Sequence, residues 1–412
     1  MVTARCVPMK LVLALVALLV LVVILQDAFE VMLLPRRIRR GLRFASLFFR
    51  TTWRCWSALA KRIRSDDRRE QVLGLYGPLS MLLLFSIWAV TLIVAFGVLA
   101  WTLQPPVTQS GPVSSISEQI YMSGVTFFTL GYGDVVPHSS SARALSVIEA
   151  GTGLGFIAVV IGYLPVLYQF FSRREAHVIQ LDGRAGSPPT ATTMLCRHAD
   201  DGRLDQLNVA LRDWEVWSAE LLESHLSYPM LAYYRSQHHN QSWLTALACI
   251  MDACSLVLVG TSGLPPLQAR MTFTMARQVL VEMSQSFGIR PSRYDGGDRL
   301  GQDGYQNMVE TLTKASLTWD NDPETEHTLA ALRATYEPLM DGLARYLLLA
   351  VPKWVPSDDA TDHWEGGHRG MIARRLVEEL SDRQGRSSTP NGSRTDERLW
   401  RKLRRRLKDD QT

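Results

Sequence analysis

Residues 129–134 read Thr-Leu-Gly-Tyr-Gly-Asp. They follow an apolar segment, Ile116-Ser117-Glu118-Gln119-Ile120-Tyr121-Met122-Ser123-Gly124-Val125-Thr126-Phe127-Phe128, that is too hydrophobic for an ordinary surface loop. On either side lies a run long enough for a membrane helix, which needs about 20 mostly apolar residues to cross roughly 30 Å of hydrocarbon. Leu79 to Leu103 carries no charge, and Ala144 to Phe171 carries one carboxylate, Glu149. Between them, about twelve residues make one helix of roughly 18 Å, too short to cross. Ser115 or Ser117 can cap it, with Glu118 in its first turn. Such a segment is re-entrant, and non-helical backbone at that depth is tolerated only where it lines a water-filled cavity or is buried in protein. Glycines at 131 and 133 admit backbone angles closed to other residues, so successive carbonyls can point the same way.

A third apolar run, unbroken from Leu11 to Leu25 and weaker to Leu34, lies near the N-terminus. It reads either as a signal peptide or as a retained span. No small-residue cleavage site follows it, since the chain continues Gln26-Asp27-Ala28-Phe29-Glu30 and then Pro35-Arg36-Arg37, so a retained span is expected. Basic residues set the orientation. Twelve Lys and Arg against three acids lie between Pro35 and Pro78, none between Gln104 and Ala142, and Arg173 and Arg174 follow the last span. The positive-inside rule places 35–78 and everything after 172 in the cytoplasm, with 104–142 and the N-terminus outside.

In the stretch 36–64, Ile38, Leu42, Ala45, Phe48, Phe49, Trp53, Trp56, Leu59 and Ile63 recur at helical spacing, with arginines on the other face. This predicts a helix in the inner interface, its tryptophans at headgroup depth and its arginines near anionic lipid. It serves as a lever on the second span or as a topology anchor. Arg37, Arg40 and Arg43 fall at every third position, but a voltage sensor carries its charges through the membrane on an apolar helix, which is lacking.

Thr129-Leu130-Gly131-Tyr132-Gly133-Asp134 resembles the signature of potassium channel pore loops, with Leu130 where valine is more usual. The order span, pore helix, filter, span is similar to the two-helix pore module of bacterial potassium channels, and the likeness covers 79–172. It implies an outer helix 79–103, a pore helix 116–128, a filter 129–134 and an inner helix 142–171. Thr129, Leu130, Gly131 and Tyr132 would then donate carbonyls to potassium, the Thr129 hydroxyl forming the innermost ring. Gly133 would turn the chain outward, and Asp134 would brace the filter. Some members place a Glu four residues before the filter threonine to partner that Asp, where this chain has Val125. An aromatic commonly stands seven residues before it, where this chain has Met122 and keeps Tyr121 beside it. A ring of carbonyls needs four copies, so the resemblance implies a homotetramer. The resemblance further implies that potassium is the transported ion, that no cofactor is needed and that the protein is not an enzyme. In the last span, Gly151-Thr152-Gly153-Leu154-Gly155 reads as close helix packing or as a bend. Gly153 matches the hinge glycine of similar channels, and Pro165 offers a second kink.

The 412 residues carry 44 Lys and Arg against 40 Asp and Glu, a balance that does not suit a nucleic-acid binder. Five scattered cysteines without a C-x-x-C pair make neither a disulfide scaffold nor a cysteine zinc module. The spans and the resemblance together imply the fold class: an all-α membrane protein, a tetrameric pore-loop channel module followed by a soluble all-α C-terminal domain. Its parts are a first helix to 34, a basic linker 35–78, the pore module 79–172, a linker 173–195, a helical domain 196–384 and a polar, basic tail 385–412. Helices are expected at 200–224, 229–259, 265–286, 303–318, 323–350 and 370–382. Trp243 to Val259 is 17 residues long and contains Asp252, so it reads as a buried core helix rather than a span. Asp252 is read as a satisfied buried group or as a ligand group. His225, His238 and His239, and His363 and His368 around Glu365, lack a strong metal spacing. The basic run Arg401 to Arg406 either touches anionic lipid or is a solvated end. The domain is the place for an unidentified ligand. The rival readings are a weakly selective monovalent cation channel, and a membrane-tethered signalling or enzymatic module with a degenerate pore.

Overall fold

The computed structural model describes residues 3–33, 44–103, 107–108, 111–112, 115–199, 204–237, 241–261, 265–291 and 298–357. Arg37, Arg40, Arg43, His238, His239, His363, Glu365, His368, the expected helix 370–382 and the tail 385–412, with Arg401 to Arg406, lie outside them. The protein is an all-α membrane protein. Its membrane part consists of α1 (Thr3–Met32), α2 (Phe44–Ala60), α3 (Asp66–Leu103), α4 (Ile116–Phe127) and α5 (Ser140–Ala185). The apolar stretches of α1, α3 and α5 are each long enough to cross a membrane. Strand pairing among the described residues is limited to a hairpin of Val107–Thr108 with Gly111–Pro112 and one bridge, Thr261 to Trp319.

α1 packs along α3, burying Ala17, Leu21, Ile24 and Ala28 at helical spacing in one cluster with Met81, Leu84, Trp88 and Leu92. Asp27 fixes the register. Its carboxylate accepts hydrogen bonds from Trp88 Nε1 at 3.2 Å and from the Ala45 backbone N–H at 3.1 Å. The latter is one of the N–H groups that the first turn of α2 leaves without an intrahelical partner. One buried carboxylate thus ties α1, α2 and α3 together.

Three sequence expectations change here. The outer helix begins at Asp66 rather than 79, so the second half of the expected linker is its first turns, with Pro78 inside it. The inner helix runs 46 residues without interruption to Ala185, so the expected linker 173–195 is helical for most of its length. α2 is amphipathic as read, but its tryptophans face protein rather than headgroups. Trp53 is buried, donates Nε1–H to the Tyr346 carbonyl at 2.9 Å, and packs against Tyr76 and Tyr233 at ring distances of 4.9 and 5.0 Å. Trp56 donates to the Val72 carbonyl at 3.0 Å. Amphipathicity requires that an apolar stripe be covered, and here the helical domain covers it.

That domain comprises α6 (Ala191–Ala199), α7 (Asp205–Ser227), a 3-10 turn (Pro229–Tyr233), α8 (Trp243–Val259), α9 (Pro266–Phe287), α10 (Gln302–Lys314), α11 (Pro323–Arg333) and α12 (Glu337–Leu347). The expected helix 229–259 is broken between Tyr233 and Trp243, and 323–350 is broken at Ala334 to Tyr336. α8 is buried on all sides from Trp243 to Val257, with α6, α9 and α11 among the helices packed round it. Asp252 is satisfied there. The Arg299 guanidinium forks onto both its oxygens, and Tyr336 donates to Oδ1 at 2.7 Å. Arg299 also bonds Glu337 at 3.1 Å and the Pro352 carbonyl at 2.8 Å. Removing one partner of a buried ion pair strands the other charge, at a cost of about 3–5 kcal/mol. Asp252→Ala should therefore lower the thermal unfolding midpoint of the purified protein sharply, whereas Lys314→Ala, at an exposed pair with Glu310, should leave it within the range of a surface pair.

The membrane helices and this domain meet at residues 228–235. Arg174, buried near the end of the inner span, donates to the Leu231 and Tyr234 carbonyls at 2.8 Å each and pairs with Glu175 at 2.9 Å. Arg174 Nη1 also lies 3.2 Å from His225 Nε2. A guanidinium only donates, so Nε2 accepts, and Nδ1–H donates to the Leu221 carbonyl at 2.8 Å. His225 is neutral. Burial, and then the Arg174 charge, hold it well below the ordinary histidine value. Its folded value is depressed, so the unfolded chain takes up a proton first as pH falls. Stability is then present above about pH 6.5 and lost below it, at up to about 1.4 kcal/mol per pH unit. Chemical denaturation measured between pH 7 and 5 should show this slope, and His225→Gln should flatten it.

Candidate functional site: the pore loop

Ser115 starts α4 through a capping box. Its hydroxyl accepts from Glu118 N–H at 3.3 Å, and its own N–H donates to Glu118 Oε2 at 2.8 Å. The helix ends at Phe127, and the chain folds back on its last turn. Thr129 N–H donates to the Thr126 carbonyl at 3.0 Å, and Leu130 N–H to the Val125 carbonyl at 2.8 Å. Val125, which offers no side-chain acid, thus supports the stretch through its backbone. From there φ is +58° at Thr129, +59° at Gly131 and +78° at Gly133, with no positive value at Leu130 or Tyr132. Alternation in the sign of φ rolls successive peptide planes the same way, which brings their carbonyls towards one side. Glycine enters this region freely. Thr129 is β-branched, and holding it there costs about 1–3 kcal/mol, strain that concentrates at functional sites.

All six residues of 129–134 are exposed in the single chain, Leu130 at 54% and Tyr132 at 67%. Asp134 has local company without the pore-helix acid: its Oδ1 accepts from Val135 N–H at 3.0 Å, and the Tyr121 hydroxyl stands near it. The exit from the loop is pinned by Ser139, whose hydroxyl caps α5 and donates to the Leu103 carbonyl at 3.1 Å.

Close contacts at two glycines hold α4 between its neighbours. A Cβ on Gly97 would stand 2.6 Å from Ile120 Cα, and one on Gly153 would stand 2.1 Å from the Phe127 carbonyl oxygen. Gly153 is therefore a packing position, where the inner helix touches the end of the pore helix. Gly151, Gly155 and Gly162 have nothing within 4 Å of where a Cβ would stand, and Pro165 lies within α5 further along. The lone carboxylate of the last span has a partner that no spacing in the sequence points to. Glu149, a turn before Gly153, is buried and receives a short hydrogen-bond contact with Ser123 of the pore helix.

Among the described residues no group of three or more His, Cys, Asp or Glu could hold a metal ion. A cleft of about 560 Å³ opens between the α2–α3 corner and α12, lined by Lys61, Arg69, Glu70, Arg299, Asp341 and Arg345 among others. Most of its charges are paired: Arg69 with Asp66, Glu70 with Arg235, Arg345 with Asp341, and Arg299 as above.

The glycine contacts give a direct test. Gly153→Ala forces backbone apart, because the atom in the way is a carbonyl, and should destabilise the protein by more than about 2 kcal/mol. Gly183→Ala, in the same helix with open space around it, should be neutral or stabilising by up to about 1 kcal/mol. Thermal unfolding of the two variants in detergent distinguishes them.

The profile of a family described as "Ion channel", of the two-membrane-helix type, matches residues 82–169. The chain is 29% identical over 221 residues to the uncharacterized membrane protein YdjJ of Bacillus subtilis (strain 168). That match covers 50% of this chain and 61% of the relative's length. No solved structure matches. The matched segment takes in the outer helix from Leu82, the capped helix α4, the Thr129–Asp134 stretch and the inner helix as far as Gln169. Residues 82–169 are thus similar to an ion channel module, and they lie in an all-α membrane protein.

Proposed function

We propose that this protein is a potassium-selective channel of the plasma membrane, formed by four copies around a shared axis. The observation that carries the reading is the backbone of Thr129–Gly133, with left-handed residues at every second position of a Thr-Leu-Gly-Tyr-Gly sequence. Four such segments facing an axis offer stacked rings of carbonyl oxygen that replace the hydration shell of a cation, which then passes down its gradient by knock-on. α4 ends at this point, and the negative end of a helix dipole favours a cation there.

The distribution of burial supports assembly. In the outer span 44% of the apolar window is covered within one chain, but in the inner span only 11%. Val147, Ile148, Leu154 and Ile161 stand exposed on α5, beside the open sites of Gly151, Gly155 and Gly162. Together with the bare filter residues, this face fits copies of the same chain. Gly153 is the contact about which the inner helix turns, and Pro165 removes one backbone hydrogen bond from α5 without interrupting it. The distribution of basic residues supports a cytoplasmic helical domain and an N-terminus outside. The exposed Arg50, Arg54 and Arg62, on α2 and just after it, then face anionic lipid.

Reconstituted into liposomes, the native chain should conduct potassium, with reversal potentials favouring potassium over sodium by at least tenfold. Gly131→Ala should abolish the flux. Equal flux from both would sink the filter assignment, and a reversal potential indifferent to the two ions would leave a weakly selective cation channel.

A further inference from the structure

Glu149 lies in the middle of the channel module with no exposed surface, on the face of α5 that meets α4. Ser123 Oγ stands 2.7 Å from the Ile93 carbonyl of α3 and within a short hydrogen bond of Glu149 Oε1. A serine hydroxyl carries one proton. Two acceptors, a carbonyl and an ionised carboxylate, cannot both be served by it. The second oxygen, Oε2, is buried with no hydrogen-bond partner among the described residues. A bare carboxylate oxygen at that depth costs several kcal/mol or more.

Among the described residues of α3, α4 and α5, no cation faces the site. From Gln71 to Leu103, α3 holds no Asp, Glu, His, Lys or Arg. In α4 the only such residue is Glu118, engaged in the exposed capping box. Between Arg143 and Arg173, α5 holds only Glu149, and Arg143 is exposed, bonded to the Pro137 carbonyl.

We propose that Glu149 is a positioning residue of the pore helix, held as the neutral carboxylic acid and donating its proton to Ser123. The hydrogen bonds then run in one direction, from Glu149 O–H to Ser123 Oγ and from Ser123 O–H to the Ile93 carbonyl, and they fasten α5 to α3 through α4. The contact is in register with the glycine one turn along. Glu149 meets Ser123 and Gly153 meets Phe127, four residues on in both helices, so the polar bond sets the rotation at which the glycine contact can close. The pore helix cannot rotate about its own axis without breaking this chain, and its last turn carries the Val125 carbonyl that receives the filter backbone. The consequence for ion selection rests on the potassium-channel reading above, whereas the hydrogen-bond chain does not.

The test uses the full chain and two readouts. Infrared difference spectra of the purified protein at neutral pH, native minus Glu149→Gln, should contain the C=O stretch of a protonated carboxylic acid, and Ser123→Ala should shift it. Absence of that band overturns the proposal. In liposomes, Glu149→Gln keeps an N–H donor for Ser123 and should hold the potassium-to-sodium permeability ratio near that of the native chain. Glu149→Ala should lower the ratio by about tenfold, the scale of one lost hydrogen bond. Equal ratios for the Gln and Ala variants would overturn the positioning role even with the band present. If the native chain conducts nothing, the channel reading fails. The band, together with a lower thermal midpoint for Glu149→Ala than for Glu149→Gln, then still decides the hydrogen-bond chain. Should Glu149→Ala not fold, Ser123→Ala serves as the disrupting variant in both assays.

Discussion

The close approach of three helices at two missing side chains governs the channel module. Gly97 lets Ile120 sit against the outer helix, and Gly153 lets the Phe127 carbonyl sit against the inner one. Without hydrophobic drive between helices in lipid, packing of small residues and interhelical hydrogen bonds carry the association. Both are present here within one turn. The re-entrant helix is held between its neighbours by backbone contact and by the Ser123 bonds, and the unusual backbone that follows hangs from its last carbonyls. Strain at Thr129 persists because the turn before it is fixed.

The same economy appears at the other end of the membrane helices. Arg174 reaches from the inner helix to the carbonyls of Leu231 and Tyr234, while Tyr234 itself fills the space above Gly77 of the outer helix. Arg235 continues to the carbonyls of Leu347 and Leu348 at the end of α12, and to Glu70 at the start of α3. A short segment of irregular chain is thereby bound to both long helices and to the helical domain. Met230 belongs to the same junction, since Tyr163 of the inner helix donates to its sulfur at 3.3 Å.

The spans, the capped pore helix and the core helix at Trp243 were legible because length, charge and capping pattern act locally. What each polar or amphipathic feature touches was not. The apolar stripe around Trp53 has the same periodicity whether lipid or protein covers it, and only the fold decides for protein. Arg174 reads as one more basic residue beside a span, yet it is an internal donor to the carbonyls of Leu231 and Tyr234. Gly153 left packing and bending open, and the distance to Phe127 resolves what it does in this conformation. Glu149 stood out as a lone charge in an apolar run, but its partner sits 26 positions earlier in another helix, and no spacing rule links the two. The break after Tyr233 had a signal in the polar run Tyr234-Arg235-Ser236-Gln237 that follows it, whereas Ala334-Thr335-Tyr336 carries no Gly or Pro to mark the second break. The inner helix, in turn, carries on past the end of its apolar run because charged residues are equally good helix formers.

The unbroken run of α5 turns geometry into arithmetic. From Gly153 to Ala185 is 32 residues, roughly 48 Å of rod. If the Phe127 contact is the fulcrum, a tilt of about 5° carries the far end by about 4 Å, a distance comparable to one turn of helix. A movement of the helical domain by that amount would be scaled down on its way to the fulcrum, arriving beside Phe127 as a small displacement driven with the leverage of the long arm.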